Sequence, residues 1–476
     1  MEHITAADAA KASGGRILLG SADTPIRHIS LDSRNMKGDD LFVPVIGERV
    51  DAHSFICQAV KQGACTVFTS RHHTEEEVRE AVRIQAGEDA EAGEKALKAA
   101  WIQVEDTKAA LQAFGSFLRG RLSLPLVGIT GSVGKTTTRE MVAAALSAGY
   151  NVYKTPGNSN SQVGVPITIS EIPEDAGIGV IELGMSEPGE MTRIARVARV
   201  SCAVMTNIGV AHIEQLGSQE NILKEKLHIQ DGMDPGGCLF LNGDDPLLSQ
   251  VRPEDGRRTV FYGLEENCDY RGENLHLENG YPVFTAVHKE ERTSVRLRVM
   301  GRHMVSNALA ALAVAHTYGI SMDRAAAKLA EFEGYRGRQQ MFQIKGIQVI
   351  DDSYNASPAS MKAGLEVLNS IEGSSRKIAV LADMKELGPD SPGFHYEIGA
   401  YLRAHPADQV VLLGELAREI GRGMEEGDSL RAPIYCDSLE EVNKWLDRNL
   451  REGDCVLFKG SNSMKLSQAV NHLKDK

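Results

Sequence analysis

From about residue 123 onward the apolar positions of this chain gather into short solid runs. Each run ends abruptly in polar groups and gives way to a longer amphipathic stretch. Residues 124–129, 178–183, 202–206, 237–242 and 259–262 are such runs. A solid apolar run of this length predicts a strand buried on both faces, and its alternation with helical stretches predicts a doubly wound, mostly parallel sheet. Between 264 and 300 the pattern changes to alternation, with Tyr270, Leu275, Leu277, Val283, Phe284, Val287, Val295, Leu297 and Val299 apolar and Asn279-Gly280 as a turn. That predicts a small β meander, followed by an Ala-rich helix at 308–317 that Ser306 or His303 can cap.

A second strand-and-helix series starts near Arg336, with runs at 348–350, 377–381, 409–413 and 455–458 and a helix at 360–368. It has the pattern of a dinucleotide-binding-like α/β domain but lacks G-x-G-x-x-G. Before residue 123, Thr5 can cap a helix at 6–12 that Gly14-Gly15 ends. Strands follow at 29–34, 41–45 and 66–69, with a helix at 55–62. Residues 85–98, rich in Ala, Glu and Gly, read as an exposed loop and helix start. The pattern divides into three α/β domains, at 1–122, 123–335 and 336–476.

Composition narrows the partners. A net charge of −13 over 476 residues gives no basic stripe for nucleic acid, and an anionic nucleotide must rely on local Lys, Arg and Mg2+. The seven cysteines form no C-x-x-C pair and suit reduced thiols in a cytoplasm. Met1-Glu2-His3-Ile4-Thr5 has no basic and apolar signal region, and no apolar run approaches the roughly 18 residues of a membrane span.

The densest chemistry lies at the end of the 124–129 strand, in Thr130-Gly131-Ser132-Val133-Gly134-Lys135-Thr136-Thr137. Strand, glycine loop, Lys-Thr and helix make a phosphate-binding loop. Glycines let backbone N–H groups turn toward a polyphosphate, and the helix N-terminus adds partial positive charge. Lys135 can reach the terminal phosphates and Thr136 can hold Mg2+. The strict motif wants glycine where Ile129 stands; what remains is Thr-Gly-x-x-Gly-Lys-Thr. Polar residues close the neighbouring strands too. Glu182 is either an Mg2+ ligand or a helix-cap carboxylate. His212 is a soft choice for Mg2+ and alone reads as a hydrogen-bonding histidine. Lys226, by spacing, is an exposed lysine on an amphipathic helix. Asn307 can read a base edge or cap a turn. Ser33, Arg34, Arg49, Asp51 and His53 follow strands of the first domain and suit an anionic ligand or a solvated loop equally.

The order of these motifs resembles the ATP-dependent Mur ligases of bacterial cell-wall synthesis, over nearly the whole chain. Within that family the likeness is sharpest to the branch that adds D-alanyl-D-alanine. Asp351-Asp352-Ser353-Tyr354-Asn355-Ala356-Ser357-Pro358 and Asp383-Met384-Lys385-Glu386-Leu387-Gly388 carry it, with Asp32-Ser33-Arg34, Gly47-Glu48-Arg49-x-Asp51-x-His53, Thr155-x-Gly157-Asn158-x-Asn160 and Lys459-Gly460-Ser461. The chain departs from the family pattern at Ala52, Ser161, His228, Ala382 and Asn462.

The resemblance implies ATP-dependent amide formation between UDP-N-acetylmuramoyl-tripeptide and D-Ala-D-Ala by a cytoplasmic monomer. It implies that Thr130 to Thr137 hold ATP, with Asn307, Arg338 and Asp352 on adenine, ribose or phosphate. It assigns Thr136, Glu182, His212 and a carbamoylated Lys226 to Mg2+, and makes Lys135, Glu182, His212 and Lys226 catalytic. Ser33, Arg34, Arg49, Asn158 and Asn160 would meet the UDP-substrate; Asn355, Ser357 and Ser461 would meet D-Ala-D-Ala. A folylpolyglutamate-type sibling would lack Asp32-Ser33-Arg34 and Ser353-Tyr354-Asn355. A nucleotide-binding scaffold with a decayed site would not keep Lys135, Thr136, Glu182, His212 and Lys226 together.

Overall fold

The computed structural model describes every residue except 2, 48, 253–256, 426–431 and 476. Three sheets organise it, of five, nine and six strands. The solid apolar runs become the inner strands of the central sheet. Leu126–Thr130, Ile178–Glu182 and Cys202–Met205 are buried at every position, as strands covered on both faces must be. The sheet runs parallel from Val152–Lys154 through Ile178–Glu182, Leu126–Thr130, Cys202–Met205, Cys238–Asn242 and Arg258–Gly263 to Tyr270–Glu278. The alternating segment continues it as the antiparallel meander Tyr270–Glu278, Tyr281–His288 and Glu291–Arg296.

One face of the central sheet packs under helices Lys135–Leu146 and Met304–Thr317; the second of these is apolar on every side from Ala308 to Ala315 because that stretch lies inside the core. The other face shares a continuous core with the N-terminal domain, through Leu111, Phe114, Val165, Ile181 and Ile194. The C-terminal sheet has the order Gln340–Ile344, Ile347–Asp352, Asp454–Lys459, Arg376–Ala382, Gln409–Leu413 and Ile434–Cys436, with only the first pair antiparallel.

Several expectations need correction. Residues 85–98 are not a loop: helices Glu75–Ala86 and Ala90–Lys98 flank a short turn, and Ala92 and Ala96 are buried. Small residues pack a helix face as well as large ones where elements approach closely, which a hydrophobicity pattern under-reads. The first-domain strands stop at Ser30 and Phe42, short of the polar residues that follow. Helix Met304–Thr317 starts earlier than 308 and takes no side-chain cap from His303 or Ser306. Thr5 does cap Ala6–Ser13, in a reciprocal capping box with Asp8.

Strand carboxyl ends of the central sheet (Thr130, Thr206, Asn242) and of the C-terminal sheet (Asp352, Lys459) face one another across a cleft of about 690 Å3. This is where open α/β sheets bind ligands.

Candidate active site

The floor of the cleft is the glycine loop. Gly131 has φ 146°, and a Cβ there would lie 1.9 Å from Thr206 Oγ1, so only glycine lets the loop pass the next strand this closely. Gly134, at φ 85°, turns the chain into helix Lys135–Leu146. Asn207 straps the loop. Its carbonyl accepts from Ser132 N–H (3.0 Å), its Oδ1 from Val133 N–H (2.9 Å), and its Nδ2 donates to Val133 O (3.0 Å). Gly209 N–H donates to Ser132 Oγ (2.9 Å). Asn242 and Asp245 hold the strap in turn, at Thr206 O and Ile208 N–H. The loop is therefore set before any ligand arrives, and no side chain among the described residues caps the N-terminus of the helix that follows it.

Two lysines share one carbonyl. Lys135 Nζ donates to Gly131 O at 2.7 Å, and Lys226 Nζ to the same oxygen at 3.2 Å. Burial and the Lys135 charge hold the Lys226 amine well below its usual pKa. Burial also lowers Lys135, with Glu182 acting against it. The spacing-based reading of Lys226 as an exposed helix lysine is overturned: it is 1% exposed. His228, the departure beside it, turns away to Asp231.

Thr136 and Glu182 meet. Thr136 Oγ1 donates to Glu182 Oε2 (3.0 Å) and accepts from Arg338 (3.3 Å); Glu182 Oε1 accepts from Asn160 Nδ2 (2.8 Å). Glu182 is thus no helix cap. Sequence reasoning missed Arg139, which is buried behind it and donates to Gly157 O, to Glu182 and to Glu140. The available signal was weak, a cation just past the first turn of a helix and directly before Glu140, where the macrodipole no longer decides.

The opposite wall belongs to the C-terminal domain. Asp352 is paired with buried Lys459 at 2.6 Å; burial raises the acid's pKa and the lysine pulls it back. Lys459 also donates to Asn355 O (3.2 Å), a role its place in Lys459-Gly460-Ser461 did not reveal. Arg338 lies over the Tyr354 ring at 4.2 Å, with Nε unpaired. Ser357 caps helix Pro358–Ser370, and Ser461 Oγ accepts from Lys385 N–H (2.9 Å). Asn307 Oδ1 accepts the Thr138 hydroxyl (3.0 Å), so its amide is half used inside the protein. His212 Nδ1 lies 2.9 Å from Glu386 Oε2, an ion-pair distance without hydrogen-bond alignment. Asn158, His212, Asn307, Arg338, Asn355, Ser357 and Ser461 all line the cleft; Thr130, Glu182 and Lys226 lie beneath it.

Ser33, Arg34 and Arg49 lie in the N-terminal domain and do not line this cleft. Arg34 is exposed and forks onto Asp32 (2.8 and 2.9 Å), whose carboxyl it draws down to about 2. Ser33 bonds Gln58 (3.2 Å), and Arg49 is exposed. Buried His53 bridges Asp51 (2.6 Å) and Ser70 N–H (3.1 Å).

Fold and loop together define a phosphate-loop α/β protein whose nucleotide-type cleft is walled by a second α/β domain. Family comparison refines this. The Mur ligase family, catalytic domain matches residues 25–118; the Mur ligase middle domain matches 129–315; the Mur ligase, glutamate ligase domain matches 337–462. The chain belongs to the Mur ligase family. It is similar to the UDP-N-acetylmuramoyl-tripeptide–D-alanyl-D-alanine ligase of Bacillus subtilis (34% identity, covering 94% of this chain and 93% of that one). Among solved structures it resembles MurF from Acinetobacter baumannii (TM-score 0.86, 28% identity, 99% of each chain). MurF ligase from Thermotoga maritima, in complex with ADP, superposes with TM-score 0.79 at 28% identity, over 96% of this chain and 99% of that one.

Proposed function

We propose that this protein joins D-alanyl-D-alanine to UDP-N-acetylmuramoyl-tripeptide at the expense of ATP, in the cytoplasm and as a monomer. The observation that carries the reading is the Lys135–Thr136–Glu182 floor beneath a cleft closed by a second domain, in a chain that matches such a ligase over 94% of its length. The tripeptide's terminal carboxylate takes the γ-phosphoryl group to give an acyl phosphate and ADP. The dipeptide amine attacks that carbonyl, and the tetrahedral intermediate expels phosphate and forms the amide.

Both steps need position and charge more than covalent help from the protein. Lys135 and the first-turn amides hold the β- and γ-phosphates. Arg338, beside Thr136 and aimed into the cleft, adds charge from the C-terminal side. Asn307 meets adenine through its Nδ2, whose partner in the protein is the Met304 sulfur at 3.7 Å; Asp352, held by Lys459, meets ribose. Thr136 and Glu182 fit Mg2+: they are buried oxygen donors 3.0 Å apart. Among the described residues no three His, Cys, Asp or Glu converge on a metal cage, which suits an ion that completes its shell with phosphate and water. Bound there, Mg2+ neutralises phosphate charge.

Lys226 fits carbamoylation. Its buried amine is held toward the neutral form, the form that adds carbon dioxide, and the product is an oxygen ligand. With His212 it would hold or orient a second Mg2+. Ser33, Arg34 and Arg49 receive the uridine diphosphate, Asn158 and Asn160 the sugar side, and Asn355, Ser357 and Ser461 the dipeptide.

The test is phosphate release from ATP with UDP-muramoyl-tripeptides ending in lysine or meso-diaminopimelate, with and without D-Ala-D-Ala. Release is expected only when tripeptide and dipeptide are both present. Equal release without the dipeptide, or with glutamate in its place, overturns the reading.

A further inference from the structure

Glu386 has no role in the reading above, yet it reaches from the C-terminal domain to His212 of the central domain, at 2.9 Å. We infer that Glu386 is the positioning residue for His212, so that docking of the C-terminal domain fixes how that imidazole faces the cleft. The inference rests on the proposed metal-holding role of His212.

Three observations carry it. First, both residues of the bridge sit in the left-handed backbone region, each at φ 64°. Strain of this kind persists only where the surroundings over-determine it.

Second, those surroundings are built on the Glu386 side. Met384 N–H donates to His395 Nε2 (2.9 Å), and His395 Nδ1 donates to Ser391 O (2.6 Å). Lys385 N–H is held by Ser461 Oγ, and Asp383 is anchored on Ala417 N–H (2.8 Å). Leu387, next in line, is buried. Few degrees of freedom remain except the Glu386 side chain.

Third, the His212 side is clamped between both domains. Val210 packs against the C-terminal core, while Gly209 is bonded to Ser132 of the phosphate loop. Phosphate loop, His212 and C-terminal domain are therefore one connected chain of contacts. The Glu386 carboxylate stands 2.9 Å from Nδ1 as an ion-pair neighbour, not aligned as a hydrogen bond, so its negative charge on that edge of the ring favours turning Nε2 toward a metal.

The experiment titrates Mn2+ by electron paramagnetic resonance into the full chain bound to a non-hydrolysable ATP analogue. The variants are Glu386→Ala, Glu386→Gln, His212→Asn and the double variant Glu386→Ala/His212→Asn. His212→Asn should weaken one Mn2+ site. Glu386→Ala should weaken the same site about 10- to 100-fold, the usual cost of losing such a partner. Glu386→Gln, which keeps an acceptor, should lose less. In the His212→Asn background Glu386→Ala should add nothing, because coupled groups are non-additive. Analogue affinity without metal should stay unchanged in every variant, which excludes a merely unfolded domain. Unaltered Mn2+ affinity in Glu386→Ala, or equal losses in both backgrounds, overturns the inference. If His212→Asn itself binds Mn2+ like the parent, the metal role of His212 fails and takes the inference with it, while phosphate release still judges the ligase reading separately.

Discussion

Arg139 and Arg34 are each an arginine beside an acid, and the protein treats them in opposite ways. Arg139 is 1% exposed, and its donors are shared among Glu140, Glu182 and the Gly157 carbonyl. Arg34 is 78% exposed, and its partner among the described residues is Asp32, two residues away. The first belongs to a floor wired within the central domain before substrate arrives. The second belongs to a face whose cation a ligand can recruit simply by displacing a neighbour in water. A desolvated ion must be fully partnered, and removing one member strands the rest; an exposed pair is screened and contributes little. The donor corner is thus preorganised, and the proposed acceptor face is left adaptable.

The largest effects should come from the floor. Lys135→Ala should lower turnover about 1,000-fold or more, at or above the upper range for losing one preorganised donor. Folding should barely change, because Lys135 is an ammonium crowded against Lys226. Turnover assays with thermal melts decide it, and an active Lys135→Ala enzyme would sink the phosphate-loop assignment. Lys226→Ala should also be inactive, but partly rescued by added short carboxylic acids that replace the carbamate oxygens. Full activity without rescue would leave Lys226 with no role. Arg139→Ala comes next and should act on the fold, destabilising by about 3–5 kcal/mol in urea titrations, since it strips buried Glu182 of its guanidinium partner and leaves Glu140 with half-exposed Lys154 alone. A loss below about 1 kcal/mol would mean that water fills the gap and the floor is less closed than its burial indicates.

The same contrast explains what could be read from the sequence. Solid apolar runs and the glycine loop announce themselves, because buried strands and φ-positive turns restrict residue choice locally. Thr136 and Glu182 come together because both close neighbouring parallel strands or their helix, where topology alone brings residues into one place. Arg139, Lys459 and Glu386 were not legible as site residues. Each is a charged side chain whose meaning depends on partners elsewhere in the fold: Lys459 on Asp352, Glu386 on His212. Spacing alone places Lys226 on an exposed face for the same reason, since a helix lysine becomes a buried amine only when another element covers it. The helix Ala90–Lys98 escaped because its buried face is alanine.

On the exposed face the expected effect is smaller and of another kind. Arg34→Ala should raise KM for the UDP-substrate about tenfold, on the order of 1.4 kcal/mol, while kcat and thermal stability stay near the parent's. A drop in kcat with unchanged KM would mean that Arg34 acts in the transition state and that the adaptable face is an illusion of its exposure.

The smallest effect probes a buried titratable centre of the N-terminal domain that resembles the floor. His53 is buried, and its Nε2 accepts Ser70 N–H, so the neutral ring carries its proton on Nδ1 toward Asp51. Burial lowers its pKa below the usual 6.5; Asp51 works against that, and Arg71, on the same carboxylate, works with it. Protonation would turn Nε2 into a donor facing the Ser70 N–H. The folded pKa is depressed, so as pH falls below 6.5 the unfolded chain takes up a proton that the folded ring refuses. Stability present above pH 6.5 is then lost on acidification, until the folded ring also protonates. His72, likewise lowered by burial and by His53, contributes in the same direction. His53→Gln should therefore reduce, and not abolish, the fall in urea midpoint between about pH 7 and pH 5. An unchanged pH slope would show that His53 opens to water before it titrates, and would place this centre on the adaptable side of the comparison.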